Sequence, residues 1–330
     1  MTKISDQELR NELEKIPTGQ EDIFFSNPRF VPGRLSDGPD RVIQPQESLS
    51  GYEDLLAQIR RVLPKRYPIM HKGTPFYLMG WLAYEMRNFE KGVFYMDAAL
   101  SEDTKNDPSG WTGAPAAAFI FLNDHHPKAV ANRITFEARN EIDSHLTRFS
   151  SESGLGLDIG TLVDKFFRPH AKDAAYRSII TSLLTFLLEG KDLRLQIGLR
   201  SHHGGSLEPF LTHLFKGGLI FESLLKREYG ASGNTLGPYL NAGKADLSLS
   251  SKPLYKEMST PIKLEDIPAF LQNWSGNDFH ERAIAIAYAV RNTTGHDLGW
   301  QDIFTEDVYK VLFDGIVNAI FLVIKKAHNV

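Results

Sequence analysis

The chain has 330 residues, enough for about two domains, and its 42% hydrophobic and 24% charged content is ordinary for a soluble globular protein. A net charge of -4 excludes a broad polyanion-coating surface, so any nucleic-acid site has to be a local basic cleft. The absence of cysteine excludes disulfides, zinc fingers, thiol nucleophiles and iron–sulfur clusters, and it fits a reducing cytoplasm.

The N-terminal stretch MTKISDQELR contains no apolar run of the signal-peptide kind. The longest apolar run, Gly315 to Ile324, is interrupted by Asn318 and is too short to span a bilayer, so a cytoplasmic protein without a membrane partner is expected. Ser5-Asp6-Gln7-Glu8 and Ser50-Gly51-Tyr52-Glu53 both have the form of a capping box, in which the Ser oxygen accepts from an orphan backbone N–H and the Glu reaches back. They predict helices over Asp6 to Lys15 and Gly51 to Leu63. Residues 17 to 49 are rich in Pro, Gly, Ser and Asp and predict an irregular excursion.

Residues 74 to 103, TPFYLMGWLAYEMRNFEKGVFYMDAALSED, resemble one tetratricopeptide repeat, a helix-turn-helix unit. Phe76 takes the Trp-like position, Met79 and Gly80 the Leu-Gly pair, Phe89 the aromatic after the turn and Ala99 the late small residue. Ala83, Gly92 and Thr104 depart from that pattern. The resemblance implies a helical region able to take a protein partner. A single repeat cannot bury its own faces, so neighbouring helices must complete the stack. Those predicted near Ala116 to Leu122 and Lys128 to Arg148 are candidates. Ser150 to Gly160, SSESGLGLDIG, is the best linker, and it divides the chain into 1–150 and 151–330.

Four long periodic segments follow, over Ala174 to Gly190, Ser206 to Tyr229, Asn277 to Arg291 and Phe304 to His328. In the last, Thr305 is placed to cap, Glu306 and Asp307 lie in the first turn and Lys325 and Lys326 in the final turn, an order that suits the helix dipole. Amphipathic segments of this length predict an antiparallel bundle, and hence an all-α protein. Gly230 to Pro261 is expected to be a long excursion between the second and third of them.

The third segment carries the chemistry. Ile284, Ala287, Tyr288 and Arg291 share one helical face, so an arginine ends an apolar stripe, and a guanidinium directed inward needs a carboxylate or an anion. Asn292 follows it, and His296 comes five residues after Arg291. Five residues turn through roughly 140° on a regular helix, so Arg291 and His296 converge only if the helix ends near Gly295 or a second copy brings its own pair. Arg291-Asn292-x-x-x-His296 resembles the signature of HEPN domains, helical bundles that dimerise and commonly act as metal-independent ribonucleases. The predicted bundle around the motif strengthens the likeness.

The resemblance implies an endoribonuclease that needs neither cofactor nor metal. Its site would lie at a homodimer interface, with Arg291, Asn292 and His296 catalytic. Its products would be a 2',3'-cyclic phosphate and a 5'-hydroxyl. HEPN nucleases often serve in defence or toxin systems. The alternative is a non-enzymatic interaction and dimerisation protein in which Arg291 is locked by a structural carboxylate, for which Asp297 and Glu281 are the candidates. A nucleotide-binding bundle is a third reading. Asp124-His125-His126 has the letters of a phosphoesterase motif without its strand-rich context. His202-His203, His280, Tyr288 and the Lys325-Lys326 pair are expected to be structural or solvated.

Overall fold

The protein is described from a computed structural model for residues 4–27, 30, 44–127, 132–200, 206–230, 235–258, 262–274, 276, 278–294 and 304–328. Among these residues the structure is all-α, with no strand. No helix among them is long and apolar enough to cross a membrane. The chain divides into two compact units, Met1–Arg139 and Asn140–Val330.

The first unit contains α1 (Asp6–Glu14), α2 (Asp22–Phe25), α3 (Pro45–Val62), α4 (Gly73–Glu85), α5 (Phe89–Asn106) and α6 (Pro115–Ile120). Ser5 caps α1 as its sequence predicts, accepting from Glu8 N. The second capping box does not start a helix. α3 begins instead at Pro45, behind a left-handed Gln44, which leaves Ser50 inside the helix. Proline at the first helical position is pre-organised, and the buried stripe of Leu49, Tyr52, Leu55, Leu56 and Ile59 begins before Ser50, so burial decides the boundary. The stretch predicted to be irregular also holds α2, whose Phe24 and Phe25 enter the core.

The 74–103 segment forms the helical hairpin its pattern predicts. α4 and α5 approach closely because Gly80 faces Gly92 and Met96: a Cβ at Gly80 would lie 2.9 Å from Met96 Cγ and 3.0 Å from the Gly92 carbonyl. The turn passes through a left-handed Arg87, and Asn88 caps α5 by accepting from Lys91 N.

A long helix, α7 (Asn132–Ser153), contains the division between the units. The Ser150 to Gly160 stretch becomes its last turn and a tight exit at Gly154, whose φ of +69° suits glycine. Ser150 Oγ then bridges Leu157 N and O at 3.0 and 3.1 Å.

The second unit continues with α8 (Ile159–Leu162), α9 (Ala174–Leu199), α10 (Glu208–Tyr229), α11 (Leu236–Ala242), α12 (Leu254–Glu257), α13 (Ile267–Asn273), α14 (Phe279–Thr294) and α15 (Glu306–Ala327). α9, α10, α14 and α15 pack on one another as the four predicted segments require. α9 runs nine residues beyond the predicted Gly190, to Leu199. Thr305 caps α15, accepting from Val308 N at 3.3 Å. The Arg148–Asp314 ion pair at 2.7 Å and the Asn318–Glu152 hydrogen bond at 2.9 Å join the end of α7 to α15.

The excursion after α10 is only partly irregular, since it includes α11 and α12. It is tied down by a buried carboxylate on α14: Glu281 accepts from Ser250 N at 2.6 Å and Leu254 N at 2.8 Å. Tyr229 adds a bond to Asp246 at 2.6 Å.

Candidate functional site

The face of α14 that ends in arginine rotates from core to surface along its length. Ile284 and Ala287 are fully buried, Tyr288 is half-buried against the Tyr255 ring, and the Arg291 side chain is 25% exposed. α10 lies directly beneath, because Gly218 leaves room for the Arg291 backbone. A Cβ at Gly218 would come within 3.1 Å of Arg291 Cβ and 3.2 Å of its Cα.

That close crossing sets the environment of the guanidinium. Arg291 Nε donates to Glu222 Oε2 at 2.5 Å, and the guanidinium carbon sits 5.5 Å from the centre of the Phe215 ring. Phe215, Gly218 and Glu222 are spaced by three and four residues, so α10 presents an aromatic, a gap and an acid on one face toward α14. Among the described residues the terminal nitrogens of Arg291 carry no hydrogen bond, so the pair fixes the inner nitrogen and the direction of the fork.

The partner of Arg291 is therefore Glu222, and the expectation of Glu281 is corrected. Glu281 is ten residues earlier on α14 and its carboxylate is engaged by the amides of Ser250 and Leu254. Glu222 is 69 residues away in sequence, beyond the reach of a local reading. The spacing of Phe215, Gly218 and Glu222 was the available signal.

Asn292 is half-buried beside Arg291 in the last turn of α14. Thr293 Oγ1 donates to the Ile262 carbonyl at 3.3 Å and Thr294 Oγ1 to the Val290 carbonyl at 2.6 Å, which holds this end of the helix. Gly295, His296 and Asp297 lie outside the described residues, as do His202 and His203. The structure thus places Arg291 and Asn292 together at one helix end and leaves the third residue of the motif undescribed.

The remaining sequence candidates are dispersed. His125 has a 90% exposed side chain beside Asp124, whereas His126 is buried. Burial lowers the pKa of His280, with Asp278 opposing. Lys326 reaches Ser248 Oγ at 3.4 Å. No group of three or more His, Cys, Asp or Glu able to hold a metal ion exists among the described residues. Comparison with protein-family models, with curated proteins and with solved structures gives no match.

Proposed function

We propose that the second unit is a HEPN-type, metal-independent endoribonuclease that works as a homodimer, with Arg291, Asn292 and His296 in its site. The observation that carries this reading is the posture of Arg291: a permanent cation at a helix end, anchored at Nε by Glu222 and still 25% exposed. A guanidinium held this way offers its remaining N–H groups to phosphate oxygens as a fork.

The chemistry asked of the site is modest. The RNA 2'-oxygen attacks the adjacent phosphorus while the bond to the 5'-oxygen breaks, giving a cyclic phosphate and a 5'-hydroxyl. One proton leaves the nucleophile and one reaches the leaving oxygen. An imidazole with an ordinary pKa near 6.5 serves these transfers at neutral pH, a contribution of about 10²- to 10⁴-fold. Arg291 supports the extra negative charge on the phosphate, and Asn292 orients the imidazole or the phosphate. A two-fold axis brings a second set to the same groove. In this proposal the tetratricopeptide-like hairpin of the first unit takes a protein partner or restrains the nuclease.

The test is RNA cleavage by the purified full chain in EDTA, with product ends analysed. Cleavage to cyclic phosphates, reduced about 10²-fold or more by both Arg291→Ala and His296→Ala in folded protein, is expected. Activity that survives both substitutions, or that requires a metal, overturns the assignment.

The same ion pair also favours a second reading, that of an interaction protein. At 2.5 Å Glu222 neutralises much of the Arg291 charge, and a guanidinium closed on a carboxylate is a structural element. That reading expects no RNA cleavage and equal losses of stability on removing either partner.

A further inference from the structure

The first unit contains a cavity of about 350 Å³, distant in sequence from every residue of the nuclease motif. It lies among the start of α4, the end of α5 and the turn that follows. Its polar lining includes Asp22, His71, Thr74, Asp103 and Asp107, and Tyr77 and Trp111 contribute aromatic wall. A volume of this size is at the lower end of small-molecule sites, which typically run about 300–1,000 Å³.

The charges around the cavity do not balance. His71 is buried between two carboxylates, with Nε2 at 3.0 Å from Asp103 Oδ1 and Nδ1 at 3.3 Å from Asp22 Oδ1. Asp107 adds a third carboxylate, bound to Gly110 N at 2.8 Å and to Ser109. The buried acids behind this wall have their own cations: Glu21 pairs with Arg66 at 3.1 Å, and Glu102 with Lys72 at 3.1 Å. One imidazolium thus faces three carboxylates, an excess of two negative charges at the cavity.

A second feature points to a ligand. His71 is 6% exposed, yet its Nδ1 makes no hydrogen bond; the 3.3 Å approach of Asp22 supplies attraction without good alignment. The architecture also keeps the space open. A side chain at Gly73 would run into the Asp103 carboxylate and the His71 ring, and one at Gly110 into the Asp107 carboxylate.

We propose that this cavity binds a small organic ammonium ion, its charge held by Asp22 and Asp103 and its carbon body against Tyr77 and Trp111. Unbalanced carboxylates in a partly desolvated wall favour a cation, and aromatic faces attract an ammonium through the ring quadrupole. An anion would meet the same carboxylates as repulsion. His71 is no general base here, because both carboxylates hold its proton in place. The site therefore binds and does not catalyse.

The experiment uses the full chain and n-butylammonium as probe, with uncharged 1-butanol as its isostere, followed by calorimetry and tryptophan fluorescence. Saturable binding of n-butylammonium is expected at up to about 10 mM, where millimolar affinity is measurable. 1-Butanol should give none, and Asp103→Asn should weaken the amine about tenfold or more, a loss of about 1.4 kcal/mol. Trp111→Phe should remove the fluorescence change. No saturable binding of the amine, equal binding of the alcohol, or unchanged affinity in Asp103→Asn overturns the proposal. If Asp103→Asn loses its helical signal, Asp22→Asn carries the same test, and unchanged affinity there is equally fatal.

Discussion

His71 in the first unit and His213 in the second are almost equally buried, at 6% and 4% exposed, and they hold opposite charge states. Burial pushes both imidazoles toward neutrality. For His71 the hydrogen bonds and charges of Asp103 and Asp22 overcome it and raise the pKa to about 9. His213 has no carboxylate in hydrogen-bond contact. Its Nε2 lies 2.9 Å from the Phe186 carbonyl and its Nδ1 2.8 Å from Tyr309 Oη, between the Phe186 and Phe313 rings. A carbonyl only accepts, so Nε2 carries the proton and Nδ1 accepts from the tyrosine hydroxyl. Burial takes its pKa down to about 3, the Phe186 bond opposing and the Lys216 charge assisting. Burial sets the stakes, and the partner decides the charge.

The two units should therefore respond to pH in opposite directions. A depressed histidine pKa means that the unfolded chain takes up the proton first, so the His213 contribution is complete above pH 6.5 and is lost as pH falls toward about 3. His145, lowered by burial and then by Arg148 to about 4, acts in the same direction. From pH 6.5 to 4 the second unit should lose on the order of 3 kcal/mol or more, read by hydrogen exchange at the α10 and α15 amides. Protection in α10 that does not change over this range would show that His213 is not held neutral.

For His71 the sign reverses. Its folded pKa is above the unfolded value, so its contribution is complete below pH 6.5 and disappears as pH rises through about 9. The α4 and α5 amides should lose protection on the alkaline side, by on the order of 3 kcal/mol, and His71→Gln should abolish that dependence. Asp22, lowered by His71 and Thr74 against its burial, records the same ion pair from the acid side and is not an additional contribution. An alkaline loss that persists in His71→Gln would place its origin elsewhere.

Packing should behave differently from either histidine. Gly217 allows α10 to meet Phe186, and a Cβ there would lie 2.5 Å from Phe186 Cζ and 2.8 Å from Ile316 Cγ2. Gly217→Ala should destabilise the second unit by about 1–3 kcal/mol, equally at pH 5 and pH 8. A loss confined to one side of that range would mean that the substitution acts through the charge of His213 and not through volume.

The sequence makes local determinants legible and long-range pairings invisible. The caps at Ser5 and Thr305, the α4–α5 hairpin and the four bundle helices were all readable because each depends on neighbours within a few residues. The start of α3 was not, because Pro45 and a buried stripe outweigh a well-formed capping box. Nor were the two buried histidines. Asp22 and Asp103 come from opposite sides of His71 in the chain, and Tyr309 is 96 residues from His213. In the candidate site, Arg291 was legible as a cation in need of a partner, and the partner, across the helix crossing at Gly218, was not.

Glu222→Gln gives the smallest expected effect on stability and the sharpest decision about Arg291. The pair is partly exposed, at 25% and 19% of the two side chains, so water already competes for it. A neutral amide that can still accept from Nε should cost about 1 kcal/mol in denaturant unfolding. If Arg291 holds a phosphate, loosening its anchor misdirects the fork, and RNA cleavage should fall about tenfold while the fold remains intact. If the pair is only structural, Glu222→Gln and Arg291→Ala lower stability alike and change nothing else. The larger effect on cleavage than on stability is thus the signature of an anchored anion-binding arginine, and its absence hands this helix crossing back to packing.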